Sequence, residues 1–301
     1  MTNAILLLGI SLAWASDYLF IGLVDHDLPP ITVAAITSLL AGLVLLVVIG
    51  GIMRRPMLPT LLRRPEVPLV MAVTAVAAPK LSVVVAEGRI SSDLASLVGT
   101  TVPILTLLVA MFVTRETRYS NSRILGVGIA FLGMIVFVGI TDTADIEREL
   151  IGVLIMMAGG VAFTFNGLYS GWRAKDFSAE VLTVWVLLLG GAGLALAAAV
   201  FEADRVSMPD AKTLAALAGS GLLSMGLAYI GYYALIARAG ATFTALYAYL
   251  VPPLGLLCGV VFLGHSLTVW HVAGVALTLV GLWLLTKRDR TEVAGPDRAG
   301  N

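Results

Sequence analysis

The sequence predicts an all-α polytopic membrane protein: ten transmembrane helices forming two inverted five-helix repeats, with both termini cytoplasmic. Three observations predict it. The chain is 59% hydrophobic and 13% charged, against roughly 45–50% and about 25% in a soluble domain. Its apolar residues gather in continuous runs of about 20, the length a helix needs to span a bilayer. Its Lys and Arg residues concentrate in alternate connections, as cytoplasmic loops require.

The runs occupy residues 4–24, 31–53, 67–87, 94–114, 124–141, 150–171, 179–201, 213–237, 242–263 and 269–286. None alternates with period two, so helices are preferred to a barrel. The first run, within "MTNAILLLGI", has no basic flank and is long enough to remain as a span rather than serve as a cleaved leader. With the N-terminus inside, the inner connections and tail carry 14 basic residues and the outer loops 4, with Lys80 inside a span. The outer loops are acidic, as in "DTADIERE" (142–149) and "VDHD" (24–27). The tail "KRDRTEVAGPDRAGN" (287–301) is short and polar. The expected organisation is one repeat over 1–141, a second over 142–286, and this cytoplasmic tail over 287–301.

Net charge is zero, which leaves no field to attract nucleic acid. The single cysteine, Cys258, lies in an apolar run without metal-ligand partners, so no disulfide and no metal site is expected. No phosphate-binding loop, metalloprotease motif or nucleophile motif is visible, which speaks against an enzyme and against an ATP-driven pump. No cofactor is expected.

The halves match at an offset of 149 residues: Ala13 on Ala162, Asp17 on Asn166, Arg89 on Arg238, Leu97 on Leu246 and Pro103 on Pro252. One residue later in register, Gly126 matches Gly274 and Gly133 matches Gly281. Five spans per repeat force the second half to enter the membrane upside down. The charges agree, since "TRETRYSNSR" (114–123) is basic while its counterpart "GHSLTVWH" (264–271) has no Lys or Arg. Inverted helical repeats are a transporter architecture, in which two halves open alternately around a midplane site.

The stretch "LAYIGYYALIARAGATFTALYAYLVPPLGLLCGVVFLGHSLTVWHVAGVALTLVGLWLL" (227–285) resembles the end of an EamA-type repeat of the drug/metabolite transporter superfamily. The features are an aromatic-rich helix, a basic residue before "G-A", a helix with a mid-span Pro, and "G-x-x-L-x-x-x-G" in the last helix. The segment "GRISSDLASLVGTTVPILTLLVAMFVTRE" (88–116) repeats this more loosely, and the "AW" of the first span and "LPP" (28–30) also fit. His265 stands where the family commonly has Glu, whereas Glu116 keeps that position in the first half. The resemblance implies a ten-helix permease of the plasma membrane, the inner membrane in bacteria, which moves small metabolites outward.

Asp17 and Lys80 are charged residues inside spans, and such residues are functional candidates by default. Each lies 13 residues beyond the inner end of its span, hence about 20 Å deep. Equal depth predicts an ion pair facing the central cavity, with Asn166 and Tyr229 as its counterparts under the repeat. The pair could carry a proton, read a zwitterionic substrate, or only lock two spans together; Lys80 could instead snorkel outward. Trp14 and Tyr18 share or adjoin the Asp17 face. Pro103 and Pro252 are expected as cavity-lining kinks, because a Pro within a helix frees a carbonyl. Trp270 and Trp283 read as interface anchors, and His26, His265 and His271 as loop or loop-edge residues.

The expected partners are a small-molecule metabolite, membrane lipid and protons. Glycines in the fifth and tenth spans could pack against each other or against a second copy, giving a homodimer. A sensor or scaffold without transport is the alternative reading, although no soluble domain is present to carry a signal.

Overall fold

The computed structural model describes residues 2–24, 28–86, 89, 98, 105–106, 121–138, 146–263 and 268–286. Among these, every regular element is helical. In chain order they are α1 (Thr2–Ala15), α2 (Asp17–Leu23), α3 (Pro30–Leu45), α4 (Leu58–Arg63), α5 (Glu66–Ala72), α6 (Ala78–Ala86) and α7 (Asn121–Val138). Then follow α8 (Ile146–Arg173), α9 (Ala179–Phe201), α10 (Ala211–Gly219), α11 (Ala228–Thr244), α12 (Tyr247–Leu263) and α13 (Val269–Thr286). Wider π turns extend or join them at Leu46–Ile52, Val73–Ala77 and Ser220–Leu227. Counting these turns, five helical stretches are long and apolar enough to cross a membrane: Pro30–Ile52, Glu66–Ala86, Leu150–Arg173, Ala179–Phe201 and Ala211–Thr244. Shorter apolar helices cover Thr2–Ala15, Ile124–Phe137, Tyr247–Phe262 and Val269–Leu284. The expected fourth span, with Pro103, lies largely outside the described residues.

Large apolar side chains such as Ile5, Leu196, Phe201 and Phe262 stand exposed on the outer faces of these helices. In water such a surface would drive association; against lipid tails it is matched to its solvent.

Two seams organise the interior. Along the first, α3 packs on α9 at small residues. A β-carbon on Gly42 would meet Leu188 at 2.8 Å, and one on Gly191 would meet Leu39 at 2.9 Å. Gly190 gives the same close approach to Val76 of the second π turn. Along the other seam, α7 packs on α13. The Cα positions of Gly133, Gly274 and Gly281 are covered by Thr278, Phe137 and Ala130 so closely that a methyl would stand 2.4–2.5 Å from backbone nitrogen or carbon atoms. Small-residue contacts of this kind bring helix backbones together where lipid gives no hydrophobic push. The glycines read from the fifth and tenth spans are thus consumed within one chain.

One expectation about the spans is corrected. The first span is not one helix: it breaks at Ser16, separating α1 from α2. The boundary expected between the eighth and ninth spans, after 237 and before 242, falls at a break at Gly240, whose φ of 81° lies in the left-handed region that favours glycine. A turn over 241–246 then leads into the ninth span's regular helix at Tyr247. Its helix runs on through Pro252 and Pro253, preceded by tight i to i+3 bonds from the amides of Ala248 and Tyr249.

At one end of the bundle, the buried Glu202 closes the α3–α9 seam. Its Oε1 accepts from the Ile31 amide at 3.0 Å, and its Oε2 accepts from the Thr32 amide at 2.7 Å and hydroxyl at 2.8 Å. A helix start leaves its first amides unpaired, and a carboxylate is their strongest acceptor. Glu202, unremarked in the sequence, caps a helix from 170 residues away.

Candidate functional site

The break at Ser16 creates the site. Ala13, one turn before it, has a carbonyl that accepts from the Ser16 hydroxyl at 2.7 Å and from the Ser224 hydroxyl at 2.9 Å. Two serines thus satisfy an oxygen at the point where α1 ends. The new helix α2 starts with Asp17, an acid at a helix N-terminus, where the dipole favours negative charge.

Asp17 Oδ1 accepts a 2.5 Å hydrogen bond from Ser220 Oγ. Its Oδ2 lies 3.9 Å from Lys80 Nζ. The equal depth read from the sequence is therefore matched by an ion pair, though one longer than a hydrogen bond. The side chains remain 21% and 36% exposed, for Asp17 and Lys80 respectively, so neither is sealed in. Both partners belong to helices containing π turns: Ser220 opens the turn at Ser220–Leu227, and Lys80 follows the turn at Val73–Ala77 and Pro79. Such turns often mark functional positions, because they loosen the i to i−4 ladder.

Trp14 faces a different set of neighbours. Its ring lies 4.3 Å from that of Tyr247, 5.5 Å from Tyr232, 5.7 Å from Tyr229 and 6.3 Å from Phe163. Most of these pairs are tilted or edge-on, the geometry in which an aromatic edge meets a π face. The box draws on α1, α8, α11 and the start of α12. It borders a narrow cleft lined by Thr106, Phe163, Thr164, Gly167, Tyr232, Ala241, Ala245 and Tyr247, too tight to hold a water molecule. Across it the Thr106 and Thr164 hydroxyls stand 3.4 Å apart.

The counterparts expected under the repeat behave differently. Tyr229 does not pair with Asn166. Its hydroxyl donates to the Ala75 carbonyl at 2.8 Å, tying α11 to the π turn at Val73–Ala77. Asn166 is fully buried on α8, close to the Tyr232 and Tyr233 hydroxyls, yet neither its Oδ1 nor its Nδ2 has a well-formed hydrogen bond. The Tyr233 hydroxyl likewise lacks a well-formed hydrogen bond. Buried polar atoms are nearly always satisfied, so this cluster is an exception that asks for a reason. Pro252 is absent from the cleft lining, while Tyr247 is part of it. The side chain of Tyr18 and all of Pro103, His26, His265 and Glu116 lie outside the described residues. Among the described residues no cluster of His, Cys, Asp and Glu could hold a metal.

The EamA-like transporter family matches over residues 1–139 and again over 150–287. The chain belongs to that family. It is a membrane transporter of the EamA type, crossing the bilayer several times. Relatives agree. The chain is 26% identical over 283 residues to an uncharacterized inner membrane transporter, YedA, of Escherichia coli K12, covering 93% of this chain and 90% of that one. It is 25% identical to a probable amino-acid metabolite efflux pump of Salmonella typhimurium, over 94% of both chains. An uncharacterized transporter of Archaeoglobus fulgidus is 25% identical over 67% of this chain and 70% of its own. A solved crystal structure superposes with a TM-score of 0.82, covering 95% of this chain and 98% of that one at 20% identity, a likeness of fold alone.

Proposed function

We propose that this EamA-type chain is a secondary transporter that exports small organic metabolites across the plasma membrane by alternating access, coupled to protons through Asp17. It does so as ten spans in two inverted repeats, 1–141 and 142–286, with both termini and the 287–301 tail in the cytoplasm. The helix contacts support that arrangement. The α1 helix of the first half packs on α11 of the second, while α8, which opens the second half, packs on α6 of the first. The other two seams, α3 on α9 and α7 on α13, each join matching members of the two halves. Two inverted halves related by a pseudo-two-fold axis would exchange partners in this way.

The observation that carries the reading is the Asp17–Lys80 pair, held at the end of α1 by Ser220 of the opposite half and adjoining the aromatic box. As the halves rock, Lys80 and Ser220 would part from Asp17, whose carboxylate would then exchange these partners for a proton. When they return, the proton leaves on the other side. Binding a proton from outside and releasing it inside would drive a metabolite outward. The narrow cleft beside the aromatic box supports a cycle too, since it must widen before cargo can enter it.

The cargo we assign is a compound with an ammonium and a carboxylate, the two groups Lys80 and Asp17 can replace in each other's pairing. The name of the Salmonella relative points the same way. The test is flux from proteoliposomes loaded with a panel of metabolites, with and without an imposed proton gradient, for the wild type and Asp17→Asn. Gradient-dependent flux in the wild type and none in the variant is expected. Equal flux in the two proteins removes Asp17 from the mechanism, and no flux for any compound favours a sensor or scaffold.

A further inference from the structure

One end of the bundle carries a second feature, independent of the transport reading. After the π turn at Leu46–Ile52 the chain turns sharply, and Arg54 is held at φ 52°. It is the one non-glycine residue at positive φ among the described residues. That conformation is costly for a residue with a β-carbon and survives only where the surroundings impose it. They do. The Arg55 amide donates back to Ile49, and the indole of Trp185 on α9 donates to the Met57 carbonyl at 3.1 Å. The short helix α4 follows, with Leu58 and Leu62 on one face and both exposed, Leu62 to 69%. Arg64 then ties this strap to the end of α8, donating to the Arg173 carbonyl and pairing with Glu66, each at 3.3 Å.

The strap is therefore held in place, while three of its four arginines stand exposed. Arg54, Arg55 and Arg63 are exposed and have no carboxylate partner among the described residues. Where Arg64 reaches the end of α8 stand Arg173, over the ring of Trp172, and Lys175. Trp172 is 71% exposed. An apolar helix face, an exposed indole and several exposed guanidinium groups, on two segments joined by Arg64, suit one environment: the boundary between acyl chains and headgroups. A guanidinium fork matches a phosphate bidentately.

We propose that residues 53–64 together with Trp172, Arg173 and Lys175 form a seat for the headgroup of an anionic phospholipid. Leu58, Leu62 and Trp172 enter the acyl region, while Arg54, Arg55 and Arg63 hold the phosphate. A lipid bound there would brace the joint between α3 and α5 against the end of α8.

The test is native mass spectrometry of the detergent-purified full chain, offered phosphatidylglycerol and phosphatidylcholine in equal amounts. The wild type should retain phosphatidylglycerol preferentially. The exposed triple variant R54Q/R55Q/R63Q should reduce that preference at least about ten-fold, since each basic group near an anionic surface contributes a several-fold factor. The tail variant K287Q/R288Q/R290Q removes the same charge and should keep the preference. Rising salt should weaken the preference of the wild type, whether or not the triple variant folds. Equal retention of the two lipids by the wild type overturns the proposal. So does an unchanged preference in the strap variant, or an equal loss in the tail variant.

Discussion

Along α7 and α13, backbones meet at Gly133, Gly274 and Gly281, and a single added methyl would collide. Around Asp17, helices meet through a long ion pair, serine hydroxyls and two π turns, and the side chains keep partial access to solvent. The first region has one arrangement, because close-packed interiors do not deform continuously. The second has partners that can be exchanged at small cost. The difference separates a closely packed scaffold from a site of loosely held polar partners, and each half of the chain contributes to both.

The largest effect expected is on flux. Asp17→Asn should cut transport by at least about ten-fold, equivalent to ~1.4 kcal/mol or more on the rate-limiting barrier. The protein should still insert, and its melting temperature in detergent should stay near that of the wild type, because the pair is long and partly solvated. A variant that fails to fold would place Asp17 with the scaffold and erase the contrast.

The seam should answer in the opposite way. Gly281→Val puts atoms where Ala130 nitrogen stands 2.4 Å from the β-carbon position. The overpacking should cost about 1–3 kcal/mol or more, read as a lowered thermal midpoint in detergent. Gly128, on the facing helix α7, has nothing within 4 Å of its own β-carbon position. Gly128→Ala should therefore be neutral or gain up to about 1 kcal/mol from helix propensity. Equal losses at the two glycines would mean that the seam is not the scaffold.

How much of this contrast was legible in the sequence follows from its causes. The Gly126/Gly133 and Gly274/Gly281 spacing was readable because a small residue leaves a mark in composition, and the only open question was whether the partner lay in this chain. Asp17 and Lys80 were readable by counting residues from the membrane edge, since helical rise is constant. Ser220 and Ser224, four apart in "SGLLSMG", share a helix face, but serines are common in spans and nothing marks which carbonyl they face. Glu202 follows an apolar run and looks like a loop acid; its role depends on a helix start far away in sequence. The π turns leave no pattern, because one extra residue per turn looks the same in an all-apolar string. Tyr229 matches Lys80 by number, yet the two halves have diverged and its hydroxyl serves Ala75 instead.

Asn166 sharpens the contrast within the site. Asn166 lies buried beside the Tyr232 and Tyr233 hydroxyls without a well-formed hydrogen bond, so Asn166→Leu should leave stability unchanged or raise it by about 1 kcal/mol. Flux should nevertheless fall if the amide is kept to hold cargo. Wild-type flux together with raised stability would make Asn166 a mere packing defect.

The smallest effect lies outside both regions and tests whether stability can be altered without touching either. Asp210 caps α10: its Oδ1 accepts from the Thr213 amide at 2.7 Å. That hydrogen bond, and a second from the Thr213 side chain, hold its carboxyl below the usual carboxylate range. The folded state thus binds the proton less readily than the unfolded chain. The cap's contribution is complete above the unfolded carboxylate value of about 3.9 and disappears as pH falls through the lower folded value. Asp210→Ala should then lower the thermal midpoint slightly at neutral pH, and the difference from the wild type should close on acidification below about pH 4. Flux should match that of the wild type at every pH, since Asp210 caps the end of α10 opposite the turn that begins at Ser220, although α10 also packs on α2. A flux defect in Asp210→Ala would show that this turn transmits strain from the loop to Asp17, and the division between scaffold and site would have to be redrawn along the length of α10.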